Sequence, residues 1–303
     1  MISVKRRLSI AGGLKRIEGR GLQGFTLLEL VVVVAIISLL LSISLPAIGR
    51  VRQCAQNLKN ISNQRTVLGA ANLFTADYDG DYPKSVATIG KDSFWNWNDP
   101  RMMKSSDYIS GRKHNSISEY LSDYVESSEP FTSPLSPSKH RYMEDAWEQG
   151  DSWDNPDTPS DLDLLIGQYC FYWDYEGLVS RAGRRFIGPS RQAGGGGQSD
   201  ILVSDYLGFG NWRTPDSLAS SRSFDDASVC PEDTTCGAYW FKNGAASMDD
   251  LDISISAGFT DGHVESFPAN EMVPMWVIMI RPDTVYPLGV GPGVFYLPRK
   301  AVE

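Results

Sequence analysis

The chain has 303 residues, 28 of them glycine and 17 proline, and carries 28 basic against 37 acidic side chains for a formal charge of −9. That length is enough for one substantial core, or for a core with large insertions. The acidic balance excludes a phosphate-tracking surface, which needs a basic face, so nucleic acid is not an expected partner.

Residues 1–24 hold Lys5, Arg6, Arg7, Lys15, Arg16 and Arg20 against a single acid, Glu18. A predominantly apolar segment follows from Phe25 to Leu45. As a helix rising about 1.5 Å per residue it spans roughly 32 Å, close to the ~30 Å hydrocarbon core of a bilayer. The basic flank keeps the leader in the cytoplasm and sends the rest of the chain outward. The segment contains one carboxylate, Glu29, near its beginning. An acid in hydrocarbon is unfavourable alone and is therefore a candidate for pairing with a partner. A plainer role, acid at a helix N-terminus favoured by the dipole, is compatible with that one.

The run Gly24-Phe25-Thr26-Leu27-Leu28-Glu29-Leu30 resembles the type IV prepilin cleavage and methylation signature. The resemblance implies that prepilin peptidase cuts after Gly24 and methylates the new amino terminus at Phe25, and that Glu29 and Phe25 serve assembly with other pilin subunits. The rival reading is an ordinary secretory signal cut after Ser44, because Ser42-Ile43-Ser44 offers small residues. Such signals have shorter apolar regions, about 7 to 15 residues without an acid, which argues against it here.

Pro46 would bend the helix by removing one hydrogen bond without necessarily ending it. Beyond it Val51, Leu58, Ile61, Leu68, Ala71 and Phe74 recur at helical spacing, predicting an apolar stripe that packs on a globular head. Asp77-Tyr78-Asp79-Gly80-Asp81-Tyr82-Pro83 supplies the stop. The expected organisation is a leader at 1–24, a transmembrane half-helix at 25–45, an amphipathic half at 46–76 and an exported head at 77–303.

Cys54-Ala55-Gln56-Asn57-Leu58-Lys59 followed by Asp79-Gly80-Asp81-Tyr82-Pro83, with Phe259-Thr260-Asp261-Gly262-His263-Val264 near the end, is similar to the pilin-like proteins of planctomycetes, verrucomicrobia and lentisphaerae. Many of those have a histidine where this chain has Leu251. A middle region without such likeness separates the two matching ends.

In the head, the Pro, Ser and acid-rich stretches 127–137 and 153–160 and the glycine run 194–197 read as loops or insertion boundaries. Short β-favouring runs occur at Tyr169 to Trp173, Ile201 to Val203, Ile253 to Ser256 and Met275 to Ile280, and no helix-length pattern is evident after Tyr124. An antiparallel sheet lying on the long helix, an α+β pilin-like head with large loop insertions, is the economical arrangement; the pilin resemblance implies the same.

Cys230 and Cys236 bracket a short loop, and an exported location permits a disulfide between them. Cys54 and Cys170 read as small buried residues. Without Cys-x-x-Cys spacing, zinc is not expected. Asp77, Asp79 and Asp81 fail as an EF-hand because Gly80 comes too early and Thr88 stands where the closing glutamate belongs. Asp249, Asp250, Asp252 and Asp261 form a second acidic group, placed as pseudopilins of type II secretion place a structural calcium, with solvated turn aspartates as the plainer reading.

No nucleophile elbow, His-Glu-x-x-His or phosphate loop is present, and His114, His140 and His263 are scattered, so catalysis is not expected. A hairpin turn accounts for Asp261-Gly262. Trp95-Asn96-Trp97-Asn98 would put two rings on one face if extended, which keeps a membrane-tethered module for polysaccharide as the alternative to a filament subunit in the inner membrane. Buried aromatics are the commoner reading of the tryptophans.

Overall fold

The computed structural model describes residues 25–87, 99–105, 113–136, 141–156, 165–179, 184–211, 214–220, 227–229, 239–241, 254–281, 284–287 and 294–303. The chain divides into two compact units, Met1–Arg52 and Gln53–Glu303. One helix, α1 (Leu27–Asp77), contributes residues to both.

Within the first unit every described residue is exposed, and this part of α1 is long and apolar enough to cross a membrane. Two of its hydroxyls are satisfied within the helix. The Ser42 hydroxyl donates to the Leu39 carbonyl at 2.7 Å and the Ser44 hydroxyl to the Leu40 carbonyl at 2.8 Å, which removes two free donors from a segment suited to lipid. Pro46 sits inside the helix, as expected.

The helix ends where the sequence predicts. Asp79 and Gly80 adopt φ of 52° and 85°, and the Gly80 N–H closes on the Thr75 carbonyl at 2.8 Å. A glycine at this left-handed position satisfies carbonyls that the last turn would otherwise leave open.

In the second unit the strands are, in chain order, β1 (Met102–Lys104), β2 (Leu165–Ile166), β3 (Tyr169–Phe171), β4 (Glu176–Leu178), β5 (Arg185–Ile187), β6 (Ile201–Asp205), β7 (Leu207–Asn211), β8 (Thr214–Ser220), β9 (Ala227–Val229), β10 (Tyr239–Phe241), β11 (Ser254–Phe259), β12 (Val264–Pro268), β13 (Met272–Arg281), β14 (Thr284–Pro287) and β15 (Val294–Pro298). Two short helices, α2 (Ser118–Leu121) and α3 (Met143–Gln149), lie between β1 and β2. All described pairings are antiparallel, in a four-stranded sheet ordered β12-β11-β6-β3, a larger sheet running from β5 through β4, β13, β15, β7, β8 and β10 to β9, and the pair β1-β2. The architecture is the expected α+β, pilin-like one.

The C-terminal half of α1 packs on the four-stranded sheet. Val67, Leu68, Ala71 and Phe74 are buried in one cluster with Tyr169, Phe171, Val203, Ile255, Ala257 and Phe259. Gly258 makes that approach possible, because a Cβ there would lie 2.6 Å from Leu68 Cδ1. All of β6 is buried, which explains an apolar run at 201–203 without alternation.

The structure departs from these expectations in four places. The expected stripe fails at its start: Val51 and Leu58 are 68% and 63% exposed, and the first buried positions are polar, Asn60, Asn63 and Gln64. Cys54 is exposed, whereas Cys170 is buried. The helix α3 lies beyond Tyr124, too short to show periodicity. Among the strands outside the four predicted runs, some are short and Gly-containing, such as Glu176-Gly177-Leu178 in β4, whereas β10 (Tyr239-Trp240-Phe241) and β15 (Val294-Phe295-Tyr296-Leu297-Pro298) have the β-favouring composition of the four runs yet fall outside them.

Candidate functional site

The amino-terminal end of α1 is a capping box. Thr26 stands at the N-cap position, and Glu29 Oε2 accepts its backbone N–H and its hydroxyl, both at 2.8 Å. In return the Glu29 N–H donates to Thr26 Oγ1 at 3.2 Å. Two donors that a helix start leaves open are thus closed reciprocally. The signature Thr-x-x-Glu was present in the sequence; Thr26 is the partner that a reading centred on Glu29 overlooked. Phe25 is exposed beside the box, and Gly24 lies outside the described residues.

Farther along, α1 is held by a buried polar joint. Asp205, at the end of β6, is fully buried. Its Oδ1 accepts the Asn60 and Gln64 side-chain amides at 2.8 and 3.0 Å, while Oδ2 accepts the Ser256 N–H of β11 at 2.9 Å. Asn60 Oδ1 in turn accepts the Tyr169 and Ser133 hydroxyls at 2.7 and 3.0 Å. Asn63 donates to the Thr132 carbonyl at 2.8 Å. The bonds to Asp205 and Tyr169 fix the rotation of α1 against the sheet, and those to Thr132 and Ser133 tie it to the loop beside it, because polar groups at 60, 63 and 64 are tolerated inside only while paired.

Among the acidic residues considered for calcium, Asp249, Asp250 and Asp252 lie outside the described residues, as do Cys230, Cys236, Trp95 and Trp97. Asp261 is described. It is exposed in the β11–β12 hairpin, where Oδ1 accepts the His263 N–H at 3.1 Å and meets His263 Nδ1 at 2.5 Å. Those two contacts, the backbone one first, hold its carboxyl below the usual range. The predicted turn is present, with Gly262 at φ 87°, and the His263 ring stacks on Phe259 with centroids 4.5 Å apart. Trp147, Trp153 and Trp173 are buried.

Asp77, Asp79 and Asp81 do not converge. Asp77 accepts the Tyr124 hydroxyl at 2.7 Å, Asp81 pairs with Arg191 at 2.8 Å, and the Asp79 carbonyl accepts from Arg191. A second group was not singled out from sequence: His114, Glu119 and Asp151 offer ligand atoms within 4.8 Å of one another.

Residues 20–45 match the family model of the prokaryotic N-terminal methylation motif. No curated protein and no solved structure gives a significant match to the chain. The motif coincides with the capping box and the exposed apolar part of α1, and supports a type IV pilin-like or pseudopilin-like substrate of prepilin peptidase anchored in a membrane. The chain carries a prepilin-type N-terminal methylation motif on a long apolar helix, followed by a pilin-like α+β head.

Proposed function

We propose that the protein is a structural, non-enzymatic subunit of a type IV pilus-like or type II secretion pseudopilus-like filament. Prepilin peptidase cuts it after Gly24 and methylates Phe25. The mature subunit waits in the inner membrane with its head outward, and assembly machinery then draws it among other pilin subunits. The observation that carries this reading is the methylation motif over residues 20–45, set on a helix suited to lipid with one carboxylate, Glu29, in its first turn.

In a filament the Glu29 charge would face the methylated amine of Phe25 on a neighbouring subunit, where low dielectric strengthens attraction. In the single chain the same carboxylate closes the capping box with Thr26. The two roles are separable, because glutamine also serves at this position of a capping box but carries no charge. Glu29→Gln is expected to insert and to be cleaved normally, yet to fall at least tenfold in the sheared-filament fraction at equal membrane level. Thr26→Ala removes the cap and keeps the charge, and is expected to assemble far better than Glu29→Gln. Equal incorporation of Glu29→Gln and wild type would defeat the assembly role and shift weight to a tethered binding module. Intact mass of the membrane-extracted protein should correspond to a chain starting at Phe25 with one added methyl group.

A further inference from the structure

We propose that His114, Glu119 and Asp151 form a binding site for one divalent first-row transition cation, of which zinc is the type. The three come from separate segments. His114 lies in the strand-like stretch joined to β1 by the Ser105 N–H to Asn115 carbonyl and Ile117 N–H to Met103 carbonyl bonds, both 2.9 Å. Glu119 is in the first turn of α2. Asp151 is in the single 3-10 turn, Gly150–Ser152, that follows α3.

Their ligand atoms lie within 4.8 Å of one another, and His114 Nδ1 is 2.9 Å from Asp151 Oδ2. Two ligands each about 2.1 Å from one tetrahedral ion stand about 3.4 Å apart, so this edge, closed here as a hydrogen-bonding contact, would open by about half an ångström to admit the ion. Asp151 Oδ1 accepts the Asn115 and Ser116 N–H groups at 2.8 and 2.9 Å. Those bonds aim the other oxygen at the imidazole, as outer contacts orient metal-bound carboxylates. Glu119 Oε1 accepts the Asp151 N–H at 3.0 Å. Gly150 leaves the room for that carboxylate: it has φ 57°, and a Cβ there would lie 2.0 Å from Glu119 Oε1. The Tyr120 ring stands edge-on to the imidazole at 5.0 Å and restricts its plane.

Asp151 and Glu119 each brace the loops by accepting backbone N–H groups, but bracing does not require their carboxylates to meet at one imidazole. The second carboxylate adds like-charge repulsion, which a dication relieves, since two carboxylates and a neutral imidazole carry the matching charge. One nitrogen beside two carboxylate oxygens favours zinc-class ions over calcium, which takes oxygen alone. Three protein ligands leave a position for water.

The test uses the full chain in detergent, stripped by chelator and titrated with zinc alone by calorimetry, with bound metal counted by mass spectrometry. The expected result is one zinc per chain, an affinity loss of at least tenfold in His114→Ala and in Glu119→Gln, and much weaker binding of calcium than of zinc. Glu119→Gln keeps an acceptor for the Asp151 N–H, so it guards against misfolding in His114→Ala; circular dichroism checks both. No zinc bound to folded wild type overturns the site. So does zinc bound equally by wild type and both variants, and so does calcium bound as tightly as zinc.

Discussion

Single residues in this chain often answer to a partner that their neighbours in sequence do not reveal. Glu29 is one exception, since Thr26 lies three positions away and closes the capping box. The cysteines illustrate the rule. Cys170 is enclosed in the core, where burial pushes its thiol well above the usual range, and a protonated, shielded thiol does not react. Cys54 is exposed on α1. Maleimide applied to the folded protein without reductant is therefore expected to modify Cys54 and leave Cys170 untouched until denaturant is added, with Cys230 and Cys236 recovered as one linked peptide. Rapid modification of Cys170 in folded protein would contradict its place in the core, and free Cys230 and Cys236 would reject the pairing.

At the scale of elements, the joint between α1 and the four-stranded sheet is where packing and polarity meet. Asp205 accepts three donors in a buried setting. Asp205→Ala would strand the Asn60 amide and the Ser256 N–H, while the Gln64 amide keeps its 3.3 Å bond to the Ser256 carbonyl; unsatisfied buried donors cost about 1–3 kcal/mol each, so a loss of about 2 kcal/mol or more is expected in urea unfolding. Asp205→Asn keeps the shape and one acceptor oxygen, and should lose less. Nearby, Gly258→Ala would press on Leu68 Cδ1 and is expected to cost about 1–3 kcal/mol. Adding Leu68→Ala should relieve the clash, so the double variant should be more stable than the sum of the two single losses predicts. Additive losses would show that the contact is not as close as described. Much of this joint was illegible in the sequence for a physical reason. Periodicity finds apolar faces, and it located Leu68, Ala71 and Phe74; it counted Leu58 as core and passed over Asn60 and Gln64, because a polar residue reads as solvent-facing unless its distant partner is known. The run Ile201-Leu202-Val203 was legible as a strand, yet nothing marked Asp205 beside it as the acceptor for a helix far back in the chain. His114, Glu119 and Asp151 were hidden likewise, since their convergence depends on turns of α2 and α3 that are too short to predict.

At the scale of the whole molecule, the division between Arg52 and Gln53 separates a segment with no described buried residue from one whose first buried residue is Asn60. Tolerance to truncation follows from the contacts of the removed backbone rather than from its position in the chain. A chain beginning at Gln53 keeps Asn60, Gln64 and Leu68, hence every α1 contact to Asp205 and the cover over Gly258. It is expected to fold, to remain in solution without detergent, and to melt within a few degrees of the full chain. A chain beginning at Gly69 loses the Asn60 and Gln64 amides, leaving Asp205 buried with Ser256 N–H alone of those three donors, and opens the groove that Leu68 fills. Burying a polar group without its partners outweighs the few kcal/mol by which such domains are stable, so this shorter chain is expected to be unfolded or insoluble. Circular dichroism melts and size-exclusion profiles of the two truncated chains decide the matter. An unfolded Gln53 chain would mean that the apolar segment is needed for the fold as well as for the membrane. A well-folded Gly69 chain would mean that the polar joint only orients the helix and contributes little to holding the head together.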